Sequence, residues 1–249
     1  MNLFSSIRPV ALLAALPAML AFSACGDDDK DPAPQQGRVL LVHAAAATPG
    51  QVTAFVNDNQ VGQLNYGQNS AYLAVNSGSP TFRINNGTQE VTTKKLDIAA
   101  NQNYSVFAYS PTATIGSADL ISFQDDLTAP VAGQAKIRLV HLATGAPSPV
   151  RLSVPALVVG TAPTDLTPDV AFGTASAFVS VNAGTAPTLT VTTTGTPRTT
   201  LLTVGDGSGS GTGTKTLEAG KIYTVLVRGI ANPGAAAAQQ PKAAIIANN

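Results

Sequence analysis

Two histidines, His43 and His141, are the only imidazoles of the 249-residue chain, and each closes a matching apolar run, Val39-Leu40-Leu41-Val42-His43 and Ile137-Arg138-Leu139-Val140-His141. An imidazole titrates near neutral pH and ligates metals, so an equivalent pair invites proton transfer or metal binding. Neither has Cys, Asp, Glu or a second His at ligand spacing beside it. About 100 residues, the length of one small β-sandwich, separate the two. Each is therefore expected to hydrogen-bond backbone from a partly buried strand end, and no metal site is predicted.

Other chemistry-bearing stretches are weaker still. Gly205-Asp206-Gly207-Ser208-Gly209-Ser210-Gly211-Thr212-Gly213 lacks the terminal Lys-Ser or Lys-Thr of a phosphate loop and has one carboxylate, too few for a calcium repeat, so it reads as a hairpin loop. Asp125 and Asp126 are adjacent, and on a strand adjacent side chains point to opposite faces, so they read as turn formers between domains. There is no Gly-x-Ser-x-Gly elbow and no convergent pair of acids. The expectation is a non-enzymatic protein without a cofactor, an unrecognised hydrolase being one alternative. Carbohydrate binding by ring stacking is another; the chain has no tryptophan, and Tyr66, Tyr72 and Phe178 are the candidate stacking residues.

Cys25 is the one thiol, so no intramolecular disulfide can form. It follows Arg8, an apolar run from Val10 to Phe22 and the small residues Ser23-Ala24. The run is shorter than the ~20 residues of a spanning helix and fits a secretory core. Phe22-Ser23-Ala24-Cys25 resembles the bacterial lipoprotein box, with Phe22 departing from the usual Leu. The resemblance implies cleavage before Cys25 and lipid on its sulfur and amino group, a stable membrane anchor. Asp27-Asp28-Asp29-Lys30-Asp31 and a proline-bearing segment follow as a tether. That acidic run resembles the surface-export signal of Bacteroidetes lipoproteins, which implies an outer-membrane lipoprotein facing outward.

Charged residues make up 11% of the chain, against roughly 25% in ordinary soluble domains. Fourteen basic residues balance fourteen acidic ones, so no broad field draws in nucleic acid. The expected partners are the membrane, through Cys25, and a surface protein or polysaccharide.

The elements that position these residues come in two copies. Val39 and Leu41 match Ile137 and Leu139, while Leu40 between them is replaced by Arg138, so the Val39 side is expected to face the core. Val52, Ala54 and Val56 match Val150, Leu152 and Val154. Ala71-Tyr72-Leu73-Ala74-Val75 matches Ala177-Phe178-Val179-Ser180-Val181, and Tyr104, Val106 and Ala108 match Tyr223, Val225 and Val227. Closing strands are predicted at 119–124 and 242–247. With about seven short strands per copy and no helix after the signal, the reading is all-β: two tandem immunoglobulin-like β-sandwich domains, with a single barrel as runner-up. The expected layout is signal peptide 1–24, tether 25–36, first sandwich 37–126, linker 127–134 and second sandwich 135–249. The pair is expected to sit as beads on a string with limited hinge freedom.

Val-His at the end of the first strand, Tyr66-Gly67 or Phe172-Gly173, Val-Asn before a glycine, Gly220-Lys221-Ile222-Tyr223-Thr224-Val225 and Asp125-Asp126-Leu127-Thr128-Ala129-Pro130 together resemble the bacterial family called domain of unknown function 4397. The resemblance runs over both copies, roughly Gly37 to Asn249. It implies a tandem, extracytoplasmic β-protein and assigns no catalytic residue.

Overall fold

The computed structural model describes residues 34–156 and 161–249. Cys25, the signal segment and the acidic run lie outside the described residues. Among those described, all regular structure is β. The first half holds β1 (Gln36–Ala44), β2 (Val52–Val56), β3 (Asn59–Leu64), β4 (Asn69–Asn76), β5 (Thr81–Asn86), β6 (Gln89–Lys95), β7 (Asn103–Tyr109) and β8 (Asp119–Gln124). The second holds β9 (Gln134–Thr144), β10 (Val150–Val154), β11 (Thr164–Asp165), β12 (Thr174–Ala175), β13 (Val179–Asn182), β14 (Thr190–Thr193), β15 (Thr200–Thr203), β16 (Ile222–Ile230) and β17 (Lys242–Ala247).

Each half is a sandwich. Sheet β4-β1-β7-β8 faces β3-β2-β5-β6, and β12-β9-β16-β17, with β13 also on β9, faces β11-β10-β14-β15. The alternation explains what lies between: Val39, Leu41, Val52, Ala54, Phe82, Ile84 and Val106 fill the first core, and their counterparts Ile137, Leu139, Val150, Leu152, Leu189, Val191 and Val225 fill the second. A feature absent from the expected pattern is the parallel pairing of β1 with β7 and of β9 with β16, in one shared register: Val42 opposite Phe107, Val140 opposite Leu226. Parallel strands of this kind are normally covered on both faces, which matches the nearly continuous apolar run of β1.

The covering comes from the other half. Leu40, Val42, Ala44 and Phe107 pack against Val140, Leu142, Leu226 and Ile246 in one buried cluster. The two sheets carrying β1 and β9 thus lie face to face, and four sheets stack in the order β2, β1, β9, β10. Burying each of these larger side chains contributes about 1.5–3 kcal/mol. The beads-on-a-string expectation is corrected on this point, since residues 34–249 form one compact unit. The reason is that the second face of β1 and β9, read as surface because Leu40 becomes Arg138, is buried in both copies, at 2% and 1% exposure.

Candidate functional site

The seam between the halves has two ends of different chemistry. At the near end, where β1 and β9 begin and β8 and β17 finish, Arg138 leaves β9 into the other half. Its Nη2 donates to Asp125 Oδ1 at 2.5 Å and to Ser105 Oγ at 3.2 Å, Nε donates to Thr224 Oγ1 at 3.0 Å, and Nη1 donates to the Gln124 carbonyl at 3.2 Å. Asp125 also accepts from Ser105 Oγ at 2.7 Å and from the Tyr72 hydroxyl. Asn248 Nδ2 donates to Tyr72 Oη at 3.2 Å, and Thr224 Oγ1 donates to Asn248 Oδ1 at 2.7 Å.

The strand registers make this cluster a pairing of equivalents: Ser105 with Thr224, Asp125 with Asn248, Leu40 with Arg138. Burial pushes the Arg138 guanidinium down from its ordinary value, with Asp125 opposing that shift. Burial and then the Asp125 charge push the Tyr72 hydroxyl well up. The sequence predicts a turn former at Asp125. It is instead a buried member of an ion pair, because Arg138 crosses the seam to meet it. Asp126 stays exposed, its carboxyl held down at about 2 by hydrogen bonds from Lys136 and Thr128. With its donors and acceptors paired across the seam, the near end holds the halves together.

At the far end, the two histidines take the role assigned to them. His43 Nε2 donates to the Gly50 carbonyl at 3.0 Å and His141 Nε2 to the Pro147 carbonyl at 3.2 Å, carbonyls being acceptors only. Burial lowers both imidazoles below the ordinary 6.5. Tyr66 stands edge-on to His43 at 5.7 Å, as Phe172 does to His141 at 5.9 Å. Each ring is then met from the opposite half: Arg228 Cζ lies 4.3 Å from the Tyr66 centroid, and Tyr109 lies 6.0 Å from Phe172.

All three candidate stacking residues therefore carry a guanidinium on one ring face. Tyr66 has Arg228, Tyr72 has Arg38 at 5.1 Å and Phe178 has Arg138 at 4.5 Å. The structure spreads them over both ends of the seam and does not bring them to one groove. Arg228 is a residue that sequence reasoning missed. Its signal is an unmatched cation in the apolar run Ile222–Ile230, at the register position of Tyr109.

The glycine-rich loop runs along β17, where Gly207 accepts a hydrogen bond from the Ile245 amide. Its Asp206 oxygens are turned onto Ser208 of the same loop. A polar groove of about 670 Å³ opens near the start of β1, lined by Arg38, Asn101, Gln102, Asn103, Gln124 and Asp126 among others. Among the described residues no group of three or more His, Cys, Asp or Glu could hold a metal ion.

Residues 39–149 match the model of a family described as a domain of unknown function, DUF4397. This segment belongs to DUF4397. The match takes in the whole first sandwich from Val39 and continues through β9 to Pro149, so the DUF4397 segment contains both histidines and both members of the Arg138–Asp125 pair. No curated protein matches the chain. One solved structure, described as a "putative cell adhesion protein" from Bacteroides eggerthii, is similar at 12% identity over 86% of this chain and 96% of that one, with a TM-score of 0.25. A likeness at that score carries no argument about this chain.

Proposed function

We propose that the chain is a lipid-anchored protein of the bacterial cell envelope, an outer-membrane lipoprotein facing outward, that acts as a non-enzymatic adhesion, scaffold or binding module. The observation that carries this reading is the locked seam. Apolar side chains and the Arg138–Asp125 cluster fix two sandwiches as one body. The start of β1 lies at the near end of that body and the loops bearing Tyr66 and Phe172 at the far end. Such a body, tethered through Cys25 at the end where β1 starts, leaves its far loops open to a partner. Cys25→Ala should release the protein from the membrane fraction, and protease added to intact cells should shave the unmodified protein. Retention of the variant in membranes, or full protection of the unmodified protein, would count against the anchor or the outward orientation respectively. Crosslinking from a probe in the 145–149 loop on living cells should capture a surface protein or polysaccharide, and capture of nothing would count against the binding role.

A second reading, a carbohydrate-binding accessory protein, is favoured by the amide-rich groove near Arg38, because amide and charged side chains are the hydrogen-bonding partners that sugars use. A glycan array probed with the wild-type chain and with Asn101→Ala separates the two readings.

A further inference from the structure

Arg228 differs from the other buried guanidinium of the seam in having no acid. The residue is 8% exposed, and its Nε and Nη1 are buried without an acceptor; the Tyr66 hydroxyl beside it, contributed by the other half, is buried with no partner but the guanidinium itself. Lys242 is the direct cross-strand neighbour of Arg228 in the antiparallel β16/β17 pair, so the two cationic side chains leave the sheet on the same face. Among the described residues, no carboxylate forms an ion pair with either. An ion buried in this way is costly unless something of opposite charge meets it, and stacking on Tyr66 offsets only part of that cost.

The backbone around the guanidinium is shaped for close approach. Gly67 has φ +91°, and a Cβ there would stand 2.5 Å from Arg228 Nη2; Gly209, at φ +85°, lies against Lys242 and the same nitrogen. Gly67 also lines an open groove of about 520 Å³ with Gln63, Gln68, Asn69 and Ser70. A planar guanidinium edge, a phenol donor and a second cation together complement an oxyanion, and a carboxylate best of all.

We propose that the far end of the seam is an oxyanion-binding site in which Arg228 and Tyr66 donate to the anion and Lys242 adds charge. The ligand is an acidic group carried on a polar molecule, such as a sugar acid whose hydroxyls lie along the amide-lined groove beside Gly67. This goes beyond the adhesion reading and does not depend on the lipid anchor.

The test follows the arginine Nε–Hε resonances of the detergent-solubilised full chain during titration with sodium glucuronate and, in a separate arm, with inorganic phosphate. The expected result is a saturable shift of one resonance, the one absent from Arg228→Met, with binding at least about tenfold weaker in that variant, as the loss of charge-assisted hydrogen bonds requires. Tyr66→Phe keeps the ring and removes only the hydroxyl donor, and it should weaken binding several-fold. Saturable binding of either anion supports the site, and the tighter of the two identifies the carrier. No shift with either anion, shifts that persist in Arg228→Met, or unchanged affinity in Tyr66→Phe would overturn it.

Discussion

The two ends of the seam use the same unit, an arginine laid over an aromatic ring across or beside the interface, with opposite bonding. At the near end Arg138 over Phe178 finds Asp125, Ser105, Thr224 and a carbonyl. At the far end Arg228 over Tyr66 finds only that tyrosine, with Nε and Nη1 unpaired. Position in the fold does not separate them, since both lie on the same face of one sheet. The difference is the acid: Asp125 at the end of β8 has Asn248 as its counterpart, and no acidic residue stands at the equivalent place beside Arg228. A paired buried cation fixes structure, whereas an unpaired one is held ready for a charge from outside.

The contrast is broken most strongly at the near end. Asp125→Ala leaves Arg138 buried and unpaired and should cost about 3–5 kcal/mol, read from urea unfolding. The double replacement Asp125→Leu with Arg138→Leu should recover most of that loss, and a double variant as unstable as the single would refute the account. Next in size is Gly67→Ala, which places a methyl against Arg228 Nη2 at a left-handed φ. It should cost about 1–2 kcal/mol while leaving the near end intact. Arg228→Met should raise the stability of the unliganded chain by about 1–2 kcal/mol, because it removes a buried charge that no acid meets, less the lost stacking on Tyr66.

The smallest effect is on pH dependence. Burial holds His43 and His141 below 6.5, so the unfolded chain binds more protons than the folded one as pH falls through 6.5. Their contribution is complete above pH 6.5 and is lost below it. The melting temperature should therefore decline from about pH 7 to about pH 5, and His43→Gln with His141→Gln should flatten that slope. Asp126 and Asp165, held at about 2 by their hydrogen-bonding partners, lose their contribution only in the separate window from 3.8 down to about 2.

Much of this architecture was legible where two copies of the sequence agreed. The closing strands were read at their observed bounds, and Val39, Leu41, Ile137 and Leu139 face the cores. What escaped has physical causes. Strand β6, Gln-Glu-Val-Thr-Thr-Lys-Lys, lies at the edge of its sheet and is mostly exposed, so it carries no apolar alternation to detect. The seam escapes because a charged residue in one copy predicts water at that position in both. Arg138 is 1% exposed and its charge is met by Asp125, a residue from the other half that no local pattern connects to it. The far end escaped for a related reason: Arg228 is recognisable only by the absence of a partner, and absence has no sequence motif.

Because β1 is bonded along its length to β4 on one side and β7 on the other, tension applied at Gln36 runs parallel to the strand. Its backbone bonds then carry the load together instead of parting in succession. A body tugged between an N-terminal tether and something gripped by its far loops would be stretched along its toughest direction.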